Sequence, residues 1–302
     1  MSTIVMTGGS SGFGALAAEH LVRSDDVRLL VGARGAVPYG EALPLDLARL
    51  RSAEQFAAAV EERVDSRGID ALVLNAGIVR PDADGRTADG FETTFAVNHL
   101  AHFVVLRRLL PHLAAGAVVV LTTSGTHDPS TGAGLAVPRH ADAELLAHPD
   151  RDPGIDSRSR KAGQHAYTAS KLCAILTVRA AVTMSEAREK GVTAVAYCPG
   201  QVFGTGLARS LPAPMRVAWS VLGGAVLGPP LRALNATHNT PENAGRTLAE
   251  LALGRTAPPD GRAYAALRRG RLTWPDPSER ARDAAQAQAL WRDSADLVGL
   301  AT

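Results

Sequence analysis

Lysine is almost missing from this chain. Of its 32 basic residues only Lys161, Lys171 and Lys190 are lysines, and the other 29 are arginines. Cysteine is nearly as scarce. Cys173 and Cys198 lie in apolar segments and in no metal-ligand spacing, which argues against a zinc site or a disulfide framework and predicts buried, reduced thiols. Long apolar runs are lacking too. The stretch VAWSVLGGAVLG (217–228) has about a dozen residues, against the roughly 20 that a membrane-spanning helix needs. Charge of one sign is not in excess: the formal net charge is +2 and the arginines are scattered, which argues against a nucleic-acid surface. No repeat or low-complexity tract interrupts the chain. The first strand-like run, STIVMTGG, starts at residue 2, so no signal peptide is expected before it, and the expected reduced thiols point to a cytoplasmic protein.

What remains is ordinary globular composition, with 46% hydrophobic and 21% charged residues. The 302 residues suffice for one large α/β domain, and the reading is one domain over 1–302. Short β-branched runs alternate with helical patterns. Strands are predicted at 3–7, 27–33, 70–75, 117–123 and 192–198, and helices near 13–24, 47–66, 88–114 and 165–189. The strands are apolar throughout rather than alternating, as when helices cover both faces of a parallel sheet. That pattern predicts a doubly wound α/β fold, the Rossmann architecture. Two connections are irregular. The stretch between VGARG and PLDLARL is too short for a crossover helix. The segment 125–165, rich in Pro, Gly, Asp and Arg, is longer than a usual connection and reads as an active-site insert.

TGGSSGFG (Thr7–Gly14) follows the first strand and opens a helix. Glycines let the backbone approach a pyrophosphate, and a helix N-terminus offers N–H groups and a favourable dipole. The second strand ends in GARG, which puts Arg34 where an acidic residue would select NAD. A guanidinium suits a 2′-phosphate, so NADP(H) is the predicted cofactor.

Together with NAG (Asn75–Gly77), VNHLAHF (Val97–Phe103), Ser124 at a strand end and YTASK (Tyr167–Lys171), these motifs make the chain resemble the short-chain dehydrogenase/reductases over essentially its whole length. SGTH, CPGQVFGTGL and ALWRDSADLVGL resemble the retinol-dehydrogenase-like and protochlorophyllide-reductase-like branch. Three positions depart from that pattern. Gln201 stands where the light-driven reductases carry a cysteine, which argues against photochemistry. Gly204 takes the place of an expected threonine, with Thr205 following, and the crossover after Arg34 is short.

The resemblance implies roles residue by residue. Ser124 would hydrogen-bond the substrate carbonyl, with Thr123 as the rival hydroxyl. Tyr167 would be the acid/base, and Asn98 would hold a water of the proton relay. Lys171 would lower the Tyr167 pKa and bind the nicotinamide ribose, work that a compact ammonium does and a planar guanidinium does not. Gly8, Ser10, Ser11, Gly12, Phe13 and Gly14 would cradle the phosphates, and Arg34, Asp46 and Leu47 would meet the adenosine. Asp46 reads equally well as a helix N-cap. Asn75, Ala76, Gly77, Pro199, Gly200, Val202 and Thr205 would line the rest of the cofactor.

No metal site is predicted, because His99 and His102 have no third ligand of recognisable spacing. His127 reads as a loop histidine and Cys173 as packing. The resemblance makes the region 205–240 the substrate lid, whose apolar character points to a hydrophobic small-molecule carbonyl or alcohol; an amphipathic helix packed on the core is the other reading. The apolar helix after Tyr167 needs a cover, either a second copy or the 125–165 insert, so monomer and homodimer both stay open. The predicted activity is NADP(H)-dependent interconversion of a carbonyl and an alcohol. Its rivals are a non-catalytic NADP-sensing regulator and a nucleotide-sugar epimerase or dehydratase.

Overall fold

A computed structural model describes residues 1–203, 235–259 and 261–301. The expected lid region falls largely outside them, and Thr205 with it.

One sheet of eight strands runs in the order β3-β2-β1-β4-β5-β6-β7-β8. The strands are β1 (Ser2–Thr7), β2 (Val27–Ala33), β3 (Glu41–Pro44), β4 (Ile69–Leu74), β5 (Leu113–Thr122), β6 (Thr193–Cys198), β7 (Tyr264–Arg268) and β8 (Arg271–Thr273). All pair in parallel except β8, which closes an antiparallel hairpin with β7. The chain winds outward from β1 in both directions, so the switch point lies between β1 and β4. Ligands of such sheets bind there, beyond the strands' carboxyl ends.

Both faces are covered, which explains the unbroken apolar strands. Ile4, Met6, Leu29 and Val31 pack beneath α1 (Gly12–Val22) and the helix Pro241–Ala252 (α8). Val5, Leu30, Leu72 and Leu74 face the other layer, built from α2 (Leu50–Glu61), α4 (Ala101–Leu109) and α6 (Ser159–Ala181). Leading into α4 are α3 (Thr93–Phe95) and a π-helical turn, Ala96–Leu100. Short helices α5 (Ala143–Ala147) and α7 (Ser185–Glu189) flank α6, and α9 (Glu279–Arg282) and α10 (Ala284–Leu297) end the chain.

Several expected elements change. The short connection after Arg34 leads into an edge strand, β3, whose Pro44 and polar Glu41 hide it from a hydrophobic reading. The helix carrying Tyr167 begins at Ser159, not 165, and ends at Ala181, with Val182–Met184 separating it from α7. The helix expected over 88–114 is confined to 93–112 and contains the π-turn. Asp46 is not a helix N-cap; Arg49 holds that place before α2.

The insert is stitched onto the first turns of α6. Thr168 Oγ1 donates to Ala136 O (2.8 Å) and Ala136 N to Gln164 Oε1 (3.2 Å). Arg139 N donates to His165 Nε2 (3.1 Å), and the Arg139 guanidinium pairs with Asp152. The apolar far side of α6 is covered by the chain's own C-terminal helix rather than by the insert. Leu290, Trp291 and Ala295 join one core with Cys173, Ile175 and Val178. Trp291 meets Phe103 edge-on at 5.0 Å, and His99 Nε2 bonds Ser294 Oγ at 2.8 Å.

Candidate active site

Nearly every predicted site residue follows a strand's carboxyl end. Gly8–Gly14 follow β1, Arg34 follows β2, Asn75–Gly77 follow β4, Ser124 follows β5, and Pro199, Gly200 and Val202 follow β6. At the first turn Gly8 has φ +70°, and a Cβ on Gly14 would lie 2.0 Å from Gly8 O and 2.6 Å from Asn75 Nδ2. Only glycine fits either place.

The N-terminus of α1 is left open. Its N-cap Ser11 makes no side-chain capping bond, the first turn holds no acid, and Ser10 and Ser11 are exposed. Phe13 packs partly buried against the core under α1. Arg34 is exposed and makes no hydrogen bond or ion pair among the described residues. An uncapped helix end with a free guanidinium at the neighbouring strand end fits a phosphorylated dinucleotide. Asp46 is half-engaged: its Oδ1 accepts from Ala48 N (3.1 Å), and Arg49 lies 3.7 Å from Oδ2. Leu47 packs beside the α2 core.

Tyr167 and Lys171 are one turn apart on α6, with Nζ 5.7 Å from the phenol ring centre. Lys171 is 6% exposed and donates from Nζ to Thr122 O (3.2 Å). Burial lowers its pKa to about 8. Burial also pushes Tyr167 up to about 12, against a smaller opposing effect of the Ser124 hydroxyl. Loss of solvent sets the direction of that shift.

The rival hydroxyl is already committed. Thr123 Oγ1, buried, donates to Lys171 O at 2.6 Å. Ser124 stays half-exposed at the strand end and accepts only a long bond from Thr126 N (3.3 Å). His127, expected to be an idle loop residue, is buried and bonds Ser124 O through Nδ1 (2.7 Å).

Asn98 sits at the centre of the π-turn. Its Nδ2 donates to Ile78 O and Ser170 Oγ, both at 3.0 Å, while Oδ1 accepts from Ile78 N at 2.8 Å. Asn98 Oδ1 and Lys171 Nζ each lie 3.4 Å from where a Cβ on Gly77 would stand.

Two positioning residues escaped the sequence reading. Thr7 Oγ1 accepts from Asn75 N (3.0 Å) and Ala76 N (3.2 Å) and contacts His102 Nε2 (2.9 Å). With two N–H groups donating to it, its own proton goes to Nε2. His102 Nδ1–H therefore donates to Asn98 O (3.2 Å), which ties the phosphate loop to the π-turn. Burial holds His102 neutral, its pKa lowered to about 4. The second is Asn239, whose Nδ2 donates to Pro199 O and Leu267 O, both 3.0 Å, and whose Oδ1 accepts from Gly270 N (2.9 Å). No sequence motif marks either bond, because the partners lie 28 to 95 residues apart.

The short chain dehydrogenase family model matches residues 2–134. Protochlorophyllide reductase B of Oryza sativa subsp. japonica is 30% identical, over 99% of this chain and 78% of that one. The protochlorophyllide reductase of Cucumis sativus is 28% identical over the same shares. Among solved structures, a protein from Mycobacterium paratuberculosis superimposes with a TM-score of 0.64 at 25% identity, covering 99% of this chain and 94% of that one. An alcohol dehydrogenase from Thermococcus sibiricus, complexed with 5-hydroxy-NADP, shares the fold with a TM-score of 0.57 at 21% identity, covering 89% and 96%. The chain belongs to the short-chain dehydrogenase/reductase family of oxidoreductases.

Proposed function

We propose that this protein is an NADP(H)-dependent reductase of a carbonyl on an apolar small molecule, with Ser124, Tyr167, Lys171 and Asn98 as its working residues. The observation that carries this reading is the buried Tyr167 phenol beside Ser124 and one helical turn from Lys171, with Thr123 tied off elsewhere. Relatives named protochlorophyllide reductase and a family neighbour complexed with an NADP derivative support the oxidoreductase class and the cofactor.

The chain's own groups divide the work. The uncapped start of α1, with Gly8, Ser10, Ser11, Gly12, Phe13 and Gly14, takes the phosphates. Arg34 takes the 2′-phosphate, and Asp46 and Leu47 border the adenine. Asn75–Gly77, Pro199, Gly200 and Val202 line the nicotinamide end. When bound, the nicotinamide supplies hydride to the carbonyl carbon. Ser124 Oγ–H donates to the carbonyl oxygen, and Tyr167 gives up its phenolic proton as the alkoxide forms. The Lys171 ammonium stabilises the phenolate left behind. Asn98 Oδ1 keeps one lone pair for a water shared with Nζ beside Gly77, which returns the proton.

Gln201 leaves no thiol after Pro199–Gly200, so the proposed reaction is a thermal reduction. Tyr167→Phe tests the assignment. Turnover is expected to fall by about 10²- to 10⁴-fold, with NADPH affinity held within roughly twofold, because only the acid hydroxyl is removed. Near-normal turnover in this variant would remove Tyr167 from the mechanism.

A further inference from the structure

Arg268 ends β7 on the sheet face that carries α6, in register with Tyr264 and Ala266 of the same core. It is half-buried, and NH1 donates to the adjacent Leu267 O (3.1 Å) and lies 3.9 Å from Cys198 Sγ. NH2 is 3.8 Å from where a Cβ on Gly125 would stand, so the guanidinium reaches the residue after Ser124. No carboxylate of the described residues comes within ion-pair distance of it. Asp128 turns instead to Ser130 N (2.9 Å). Its other neighbours are buried Cys198, Tyr264 and His127, and the Tyr264 and Cys198 side chains hydrogen-bond the guanidinium. Burial lowers the His127 pKa, and the charge of Arg268 adds to that against the Ser124 carbonyl and Asp128.

The guanidinium therefore has a phenol, a thiol and a backbone carbonyl as partners but no carboxylate among the described residues. Its planar fork is built for a carboxylate. The strand order sets it on the substrate's side of the site: β7 lies beyond β6, further from the cofactor cleft at β1 and β4. We infer that Arg268 receives a carboxylate of the substrate, so that the substrate class is an apolar ketone or aldehyde that also bears an acid. This deepens the reductase reading and rests on it for the reaction, though not for the anion site.

The probes are benzoylpropionate and its methyl ester, assayed by NADPH oxidation with the wild type, Arg268→Gln and Arg268→Lys. The wild type is expected to favour the acid in kcat/KM. Arg268→Gln is expected to lower the acid-to-ester ratio by about 10- to 100-fold, the worth of a charge-assisted hydrogen bond, and Arg268→Lys to keep part of the preference. A ratio unchanged in Arg268→Gln overturns the inference and leaves the reductase reading standing, since the ester reports on that reading alone. If neither probe is reduced, the reductase reading is the one in question. Calorimetric binding of phenylbutyrate against phenylbutyramide then decides on Arg268. An acid preference lost in Arg268→Gln supports the inference; equal affinities, or no binding of either probe, overturn it.

Discussion

At residue scale, the lone lysine of the site stands out because the chain uses arginine almost everywhere else. Arginine keeps its proton in any environment, whereas a buried ammonium can be tuned. Burial brings Lys171 from its ordinary 10.5 to about 8, and the cost falls on the fold. Between these two values the unfolded chain binds more protons than the folded one, so stability rises with pH across that window. Below about 8 the penalty is fully present. In the cofactor-free protein, Lys171→Met is therefore expected to stabilise the fold at pH 7 by on the order of 1–3 kcal/mol and to abolish turnover. The gain should shrink as pH rises from 8 towards 10. Urea unfolding at several pH values checks this, and a destabilised Lys171→Met variant at pH 7 would contradict it.

At the scale of elements, α6 carries both Tyr167 and Lys171, the groups proposed to react, and its two ends are held by different parts of the chain. The insert fastens the Tyr167 end through Ala136, Arg139 and Thr168. Helix α10 covers the apolar far side, and Trp291, 3% exposed, fills the space against Phe103. Trp291→Ala is expected to cost about 3–5 kcal/mol in urea unfolding. A loss below about 1 kcal/mol would show that α10 does not cover α6 in solution. The π-turn before α4 has a similar supporting role: it frees Asn98 from regular helix bonding, and Glu92 caps the segment by accepting from Thr94 N (2.8 Å) and Phe95 N (2.6 Å).

At the scale of the whole molecule, the central strands were legible because a parallel strand covered on both faces reads as one apolar run. That holds for β1, β2, β4, β5 and β6. The edges were not legible. EALP in β3 carries a proline and a glutamate, YAALR in β7 has two alanines and no β-branched residue, and β8 has three residues, so their place comes from tertiary pairing rather than local pattern. The same division runs through the site. The phosphate loop and the Tyr167–Lys171 turn are short-range patterns, and they stood out in the sequence. The Thr7–His102–Asn98 chain, the Asn239 clamp and the Arg268 guanidinium, which has no carboxylate partner among the described residues, depend on which strand ends become neighbours. The 204–234 stretch lies outside the described residues, so its expected lid role rests on the family resemblance.

Cofactor choice joins these scales, since it needs Arg34 free, α1 uncapped and the sheet's switch point open. Fluorescence titration of the purified protein with NADPH and with NADH tests it most directly. NADPH is expected to bind about tenfold or more tightly than NADH, and Arg34→Ala should remove about 10- to 100-fold of NADPH affinity while leaving NADH nearly unchanged. Equal affinities, or tighter NADH, would contradict the role given to Arg34, and binding of neither would contradict the reductase itself.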